Sequence, residues 1–333
     1  MLTDLTGKTA VVTGSTSGIG RAIADSLIAR GANVMFSGVY FDDAATAPEP
    51  RLTAAQKGAA FKAEIDALQA RLPAGQKLDF YACDVTNRTQ VSKLLRDAAD
   101  MGSGTVDIVV NNAGIHPPSV QKPFASVSPE AFTTLMNVNF GGVQNVSHAA
   151  LPYLPKAGGG SIINISSVHG HVGSPDRAAY CSAKHAVEGF TKVVGAELAQ
   201  AGHKMISIAP AFVKTELALA PLKERATKLS AERTIPYEQA FALAQEWRLQ
   251  HQGGKWIELS DIATLCSDIA SGKDTTQSGN PIKLDNGYTE RTENGVVTFP
   301  PFDSWVQNKL PKPVVSDAIT TERAAPTADK SIG

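Results

Sequence analysis

The sequence predicts an α/β fold: one doubly wound domain around a parallel sheet of seven strands, with a helical lid and a C-terminal extension. Three observations predict it. Short β-branched runs alternate with helical stretches along most of the 333 residues, the rhythm of a parallel sheet with crossover helices. The segments between most runs are long enough to cross over. Several runs are apolar on both faces, as strands covered on two sides must be.

In chain order, "KTAVVTG" (8–14) reads as the first strand and "GIGRAIADSLIARG" (18–31) as a helix stopped by Gly31. "ANVMFSG" (32–38) is the second strand. "KLDFYACDV" (77–85), "VDIVVNNAG" (106–114), "GSIINISS" (160–167), "KMISIAPAFV" (204–213) and "NPIKLDNG" (280–287) supply five more. A short helix is expected around "DIATLCSDIA". Three segments stand outside the rhythm. Residues 39–58 are a polar, proline-containing insert after the second strand, and 216–255 are helix-prone and read as a substrate lid. Residues 292–333 lose the pattern and carry "PPFDSWVQNKLPKP". The expected division is a catalytic domain over 1–291 and a tail packed on the surface or on a neighbouring subunit, its last ten or so residues disordered.

Composition narrows the function. The chain is 43% hydrophobic, enough for a large core, and its formal net charge of −1 argues against a generic nucleic-acid binder. No apolar run is long enough to span a membrane, and no secretory signal is read at the N-terminus. Cys83, Cys181 and Cys266 are widely spaced and form no CxxC pair, which points to a reduced, cytoplasmic setting and no metal site.

Between the first strand and first helix lies "TGSTSGIG", with Gly14, Gly18 and Gly20 in G-x-x-x-G-x-G spacing. Glycines there let backbone N–H groups approach a pyrophosphate at a helix N-terminus. By itself the loop is a weak signal, since an ordinary strand-to-helix turn can look the same. Four further segments follow at set intervals: "CDV" with Asp84, "NNAG" (Asn111 to Gly114), "NISSVHG" with Ser166 and Ser167, and "YCSAK" with Tyr180 thirteen residues after Ser167.

Together these five segments resemble the short-chain dehydrogenase/reductase family, over roughly residues 5–290. The resemblance implies a Rossmann-type domain and hydride transfer. Tyr180 would be the general acid/base, and Lys184, one helical turn on, faces the same side. A free phenol titrates near pH ~10, so a nearby positive charge is needed to favour the phenolate. Ser167 would steady the substrate oxygen; Ser166 is its rival, but the offset to Tyr180 favours Ser167. Asn139 in "MNVNFGG" would hold a water in a proton relay through the lysine, with Asn137 the nearby competitor. A bare Tyr-x-x-x-Lys would more often be a core aromatic beside a solvated charge; the other four segments outweigh that reading.

For the cofactor, the resemblance implies contacts from Gly14, Thr16, Ser17, Gly18, Ile19 and Gly20, from Asp84 and Val85 at the adenine, and from Asn111, Ala113 and Gly114 at the ribose. Tyr180, Lys184, Val213 and Thr215 complete the set. The loop interior and the end of the second strand carry no basic residue for a 2′-phosphate, and Asp42 and Asp43 would repel one. NAD is therefore expected. A homotetramer is also implied, built on the helices about 129–150 and 180–200.

"NAGIH", "SSVHG" and "DRAAY" bring His116, His169 and Arg177 toward the pocket of Ser167 and Tyr180. Three potential donors suit a carboxylate, with Arg177 the strongest anchor. The pattern is similar to the (R)-3-hydroxybutyrate dehydrogenases of the family, whose carboxylate is held by Gln, His and Lys at the positions of His116, His169 and Arg177; a further lid Gln falls about where Pro221 stands. The usual Pro-Gly after the sixth strand is Pro210-Ala211, followed by Phe212. The expectation is an oxidoreductase acting on a short 3-hydroxy acid, as in ketone body metabolism. Its rivals are a dehydrogenase of neutral secondary alcohols, sugars or steroids, and a dinucleotide-sensing or scaffold protein without turnover.

Overall fold

Seven strands lie in one sheet: β1 (Thr9–Thr13), β2 (Asn33–Gly38), β3 (Leu78–Ala82), β4 (Ile108–Asn111), β5 (Ser161–Ile165), β6 (Lys204–Pro210) and β7 (Pro281–Leu284). They run parallel in the order β3-β2-β1-β4-β5-β6-β7. The computed structural model describes residues 5–40, 53–290 and 295–310. The order reverses between β1 and β4, and the carboxyl ends of the strands at such a switch point are where sheets of this kind bind ligands.

Register sets two cores. Val11 lies opposite Met35 and Val109, and these pack with Ile162 and Met205 on one face of the sheet. Ala10, Val12, Val34, Phe36 and Val110 alternate to the other face. The first face is covered by α3 (Arg88–Met101) and α5 (Gly142–Ala150). The second is covered by α1 (Gly18–Ala29), α2 (Ala54–Gln69) and α9 (Leu259–Ala270). Gly31 follows α1 at φ +91°, a conformation that favours glycine.

Helix α2 starts inside the stretch read as insert. The Thr53 side chain accepts from the Gln56 amide and the Gln56 side chain accepts from the Thr53 amide, so residues 54–58 form its first turn. The rest of the insert, with Asp42 and Asp43, lies outside the described residues. Further on, α4 (Pro129–Met136) runs into a π-helical turn at Asn137–Gly141 and then into α5, so the expected helix over 129–150 is interrupted. Helix α6 (Ala178–Ala199) carries Tyr180 and Lys184.

The helix-prone stretch forms α7 (Glu216–Arg233) and α8 (Tyr237–Leu249), packed together through Leu222, Ala226, Leu229, Ala240, Ala244 and Trp247. The described part of the tail folds back on its own chain. Helix α10 (Phe302–Gln307) adds Phe302 and Val306 to that cluster. The Trp247 indole donates to the Pro300 carbonyl at 2.9 Å, and His251 Nε2 donates to that of Thr298 at 3.0 Å. Residues Gly173 and Val296 pair as a parallel bridge. The end of the chain from 311, expected to be disordered in its last ten or so residues, lies outside the described residues. Among the described residues no helix is long and apolar enough to cross a membrane.

Candidate active site

The turn after β1 is shaped by its glycines. Gly14 and Gly18 have φ +62° and +55°. A Cβ on Gly14 would sit 2.9 Å from Ala113 Cα, and one on Gly20 would run into the Gly14 carbonyl and the Asn112 amide. The Asn112 side chain ties the turn to β4 by donating to the carbonyls of Thr13 and Gly14, both at 3.0 Å. Ser17 stands at the N-cap of α1 in extended backbone without a side-chain cap, so the first N–H groups of the helix have no hydroxyl acceptor from it. Thr215 lies across from Gly18, where even an added Cβ would remain 4.0 Å from its methyl. Glycine backbone and an uncapped helix start fit the pyrophosphate of a dinucleotide.

The other residues named for a cofactor divide into two groups. Thr16 lies against Gly38 at the end of β2, Gly114 is exposed beside Ala113, and Val213 is buried where it bridges to Ile257. Ile19 packs on the core under α1. The remainder are held by structural bonds. Asp84 Oδ1 accepts from the Thr86 amide and hydroxyl. Val85 is buried against Gly142. Asn111 is interior, donating to Ser147 at 2.9 Å and to Asn164 at 2.8 Å.

The reactive group forms where β5 ends and α6 begins. Ser167 caps the turn Val168–Gly170, its Oγ accepting from the His169 amide at 3.2 Å and lying 3.4 Å from His169 Nδ1. Ser166 points elsewhere, toward Gly170 and the buried Glu188. That separates the two rivals, because Ser167 is the one that hydrogen-bonds the Tyr180 hydroxyl. Lys184 is buried and donates to the Ile165 carbonyl at 2.8 Å; its ammonium lies 5.8 Å from the Tyr180 ring centre. Asn139 sits in the π turn, accepting from the Ile115 amide at 2.7 Å and donating to the Ile115 carbonyl at 2.9 Å. Its side chain therefore clamps the loop after β4. Asn137 is outside this clamp.

Burial governs the electrostatics. It lowers Lys184 to about 8, with Glu188 pulling the other way. It also raises Tyr180; the Ser167 hydrogen bond and the charge of Arg177 oppose this without outweighing it. In the chain by itself the ammonium is turned to the Ile165 carbonyl and the phenol is held neutral; the expected phenolate calls for the charge of the oxidised nicotinamide together with that of Lys184. His116 stacks on Tyr180 with ring centres 4.4 Å apart, and His169 meets the same ring edge-on at 5.9 Å. Burial and then Arg177 push these histidines down to about 4 and about 3.

Arg177 opens α6, directly after Asp176 at φ +62°, a left-handed conformation that Asp tolerates better than most residues. It acts electrostatically on His116, His169 and Tyr180. Two residues at this pocket were not read from the sequence. Arg248, in the last turn of α8, places its guanidinium 4.2 Å from the Phe212 ring centre, and burial lowers it to about 10. Tyr288, after β7, is fully buried and edge-on to His169 at 6.1 Å. Pro221 instead stands on the far side of α7, beside Arg225 and Phe302.

The sequence profile described as "short chain dehydrogenase" matches residues 8–71 and 50–225. The D-beta-hydroxybutyrate dehydrogenase of Cupriavidus necator is 34% identical over 285 residues, covering 85% of this chain and 98% of that protein. The protein of that name from Rhizobium meliloti is 34% identical over 284 residues, with coverage of 85% and 98%. Among solved structures, a single-residue variant of actinorhodin polyketide ketoreductase with NADPH superposes with a TM-score of 0.66 at 26% identity, covering 84% of this chain and 97% of that one.

Proposed function

Because the chain belongs to the short-chain dehydrogenase family, we propose that it is an NAD-dependent oxidoreductase interconverting a short 3-hydroxy acid, (R)-3-hydroxybutyrate among them, and its 3-keto acid. The observation that carries this reading is Arg177, a guanidinium with no carboxylate partner among the described residues, whose charge acts on Tyr180, His116 and His169. Such a fork takes a carboxylate in a bidentate grip.

When bound along the turn 14–20, the dinucleotide supplies the acceptor for the hydride that the carbinol carbon loses. The protein does the rest. Ser167 donates to the substrate oxygen, and Tyr180 takes the hydroxyl proton. Lys184, buried beneath the tyrosine, and the π turn of Asn139 carry the proton toward solvent. His116 and His169, neutral at physiological pH, offer hydrogen bonds without adding charge. NAD over NADP is supported by the end of β2. Gly38, Val39 and Tyr40 offer no cation there, and nearby Arg21 is bound to Asp25 and Glu64 at 2.9 and 2.7 Å. A cytoplasmic homotetramer completes the reading.

The test is a screen for reduced-nicotinamide absorbance with NAD against hydroxy acids and their methyl esters. Preference for the free acids supports the reading. Equal or better use of esters and neutral alcohols overturns it, and no turnover with any alcohol would favour a sensor.

A further inference from the structure

The side chains clustered around Arg177 hold more donors than one carboxylate can use. Four buried polar atoms there have no hydrogen-bond partner: His116 Nε2, His169 Nε2, Arg248 Nε and the Tyr288 hydroxyl. They belong to one cluster. His116 and His169 both face Tyr180, at 4.4 and 5.9 Å between ring centres. His169 meets Tyr288 at 6.1 Å, Tyr288 meets Phe212 at 5.7 Å, and the Arg248 guanidinium lies over Phe212 at 4.2 Å. Arg177 acts on every polar member of this set.

Neither Arg177 nor Arg248 forms an ion pair among the described residues, although Arg21 and Arg30 each do. The Arg248 guanidinium is therefore largely withdrawn from water with no counter-charge, and the charge of Arg177 acts against it. Such an arrangement is costly unless a ligand brings negative charge to both. A single carboxylate offers about four acceptor sites. Two arginine forks, each able to take a carboxylate in bidentate fashion, and the tyrosine hydroxyl exceed that number without the histidines.

Resting on the proposed reaction, we propose that the substrate is a hydroxy dicarboxylate, with one carboxylate held by Arg177 near the reacting carbon and the second by Arg248 and Tyr288. The chemistry is unchanged: the secondary alcohol loses a hydride to oxidised NAD and a proton to Tyr180, leaving a keto dicarboxylate and NADH. What the second arginine adds is selection for length and charge.

Steady-state kinetics with NAD on 3-hydroxyglutarate, its mono-methyl ester and 3-hydroxybutyrate test this. The dicarboxylate should exceed the other two in kcat/KM by about tenfold or more, mainly through KM, as expected for a charge-assisted contact made alike in ground and transition states. Arg248→Met should bring the three substrates close together, and Arg248→Lys should restore part of the gap; the lysine variant keeps the test open if the methionine variant folds poorly. Equal or better use of 3-hydroxybutyrate by the unaltered enzyme, or equal loss on all three substrates in Arg248→Met, would overturn the inference and leave the hydroxy-acid reading standing. Failure to oxidise any hydroxy acid while oxidising neutral alcohols would overturn both.

Discussion

Tyr180 is half-buried, raised in pKa by desolvation and hydrogen-bonded to Ser167, so its phenol is a poor base until a positive charge arrives beside it. Tyr180→Phe should keep the fold and NAD binding while turnover falls about a hundred- to ten-thousand-fold; near-normal kcat would exclude it as the base. Arg177 is separable from it. Arg177→Met should lower kcat/KM for the acid by about ten- to several-hundred-fold, mostly in KM, and affect the methyl ester far less. Equal loss on both substrates would remove the carboxylate anchor. The histidines give a pH signature. Their folded values, about 4 and about 3, lie below the ordinary 6.5. The stability they contribute is therefore complete above about 6.5 and is lost as pH falls toward 3, because the unfolded chain binds the protons first. His169→Gln should flatten the decline of Tm between about pH 6.5 and about pH 4, measured by thermal melts.

Helical elements position these side chains. The π turn is a device with one visible purpose, turning Asn139 into the loop after β4, where it holds both backbone groups of Ile115. Asn139→Ala should destabilise the chain by about 1–2 kcal/mol, since it leaves a half-buried amide and carbonyl without their partner, and should impair turnover by releasing the loop that carries His116. A wild-type Tm would show the clamp to be idle. The strands are legible in the sequence because apolar runs with strand–helix spacing dictate a parallel sheet, and Ser167 because its offset places it against Tyr180. The start of α2 is not: Thr53 and Gln56 form a capping box behind a proline-containing stretch that reads as loop. Arg248 escapes for a different reason. It lies far along the chain from Arg177, in a helix-prone segment with no motif. Its one signal is a charge among the apolar residues of "AFALAQEWRL", which on a packed helix must find or await a partner.

At the scale of the molecule, the bare end of β2 should produce at least about a tenfold preference for NAD over NADP in kcat/KM; equal use would overturn the reading of the strand end. A homotetramer is expected in light scattering at micromolar concentration, and its α6 contacts would cover Val193, an apolar side chain 62% exposed in the single chain. Subunit contacts leave only that trace in a single sequence, because an exposed valine and one buried by a partner are spelled alike. The tail has a wider consequence. Its backbone pairs with Gly173, between Ser167 and Tyr180, while its ring contacts and the Trp247 indole bond hold α8 and hence Arg248. If residues 216–255 move as a substrate lid, the described tail residues 295–310 would have to move with them, and substrate binding would draw on that shared step. Amides of residues 296–306 should exchange with deuterium more slowly in the presence of cofactor and hydroxy acid than without them, and a clip near residue 295 should weaken substrate binding while leaving the sheet intact. Residues 295–310 would then act as a latch whose strength the enzyme reads as affinity.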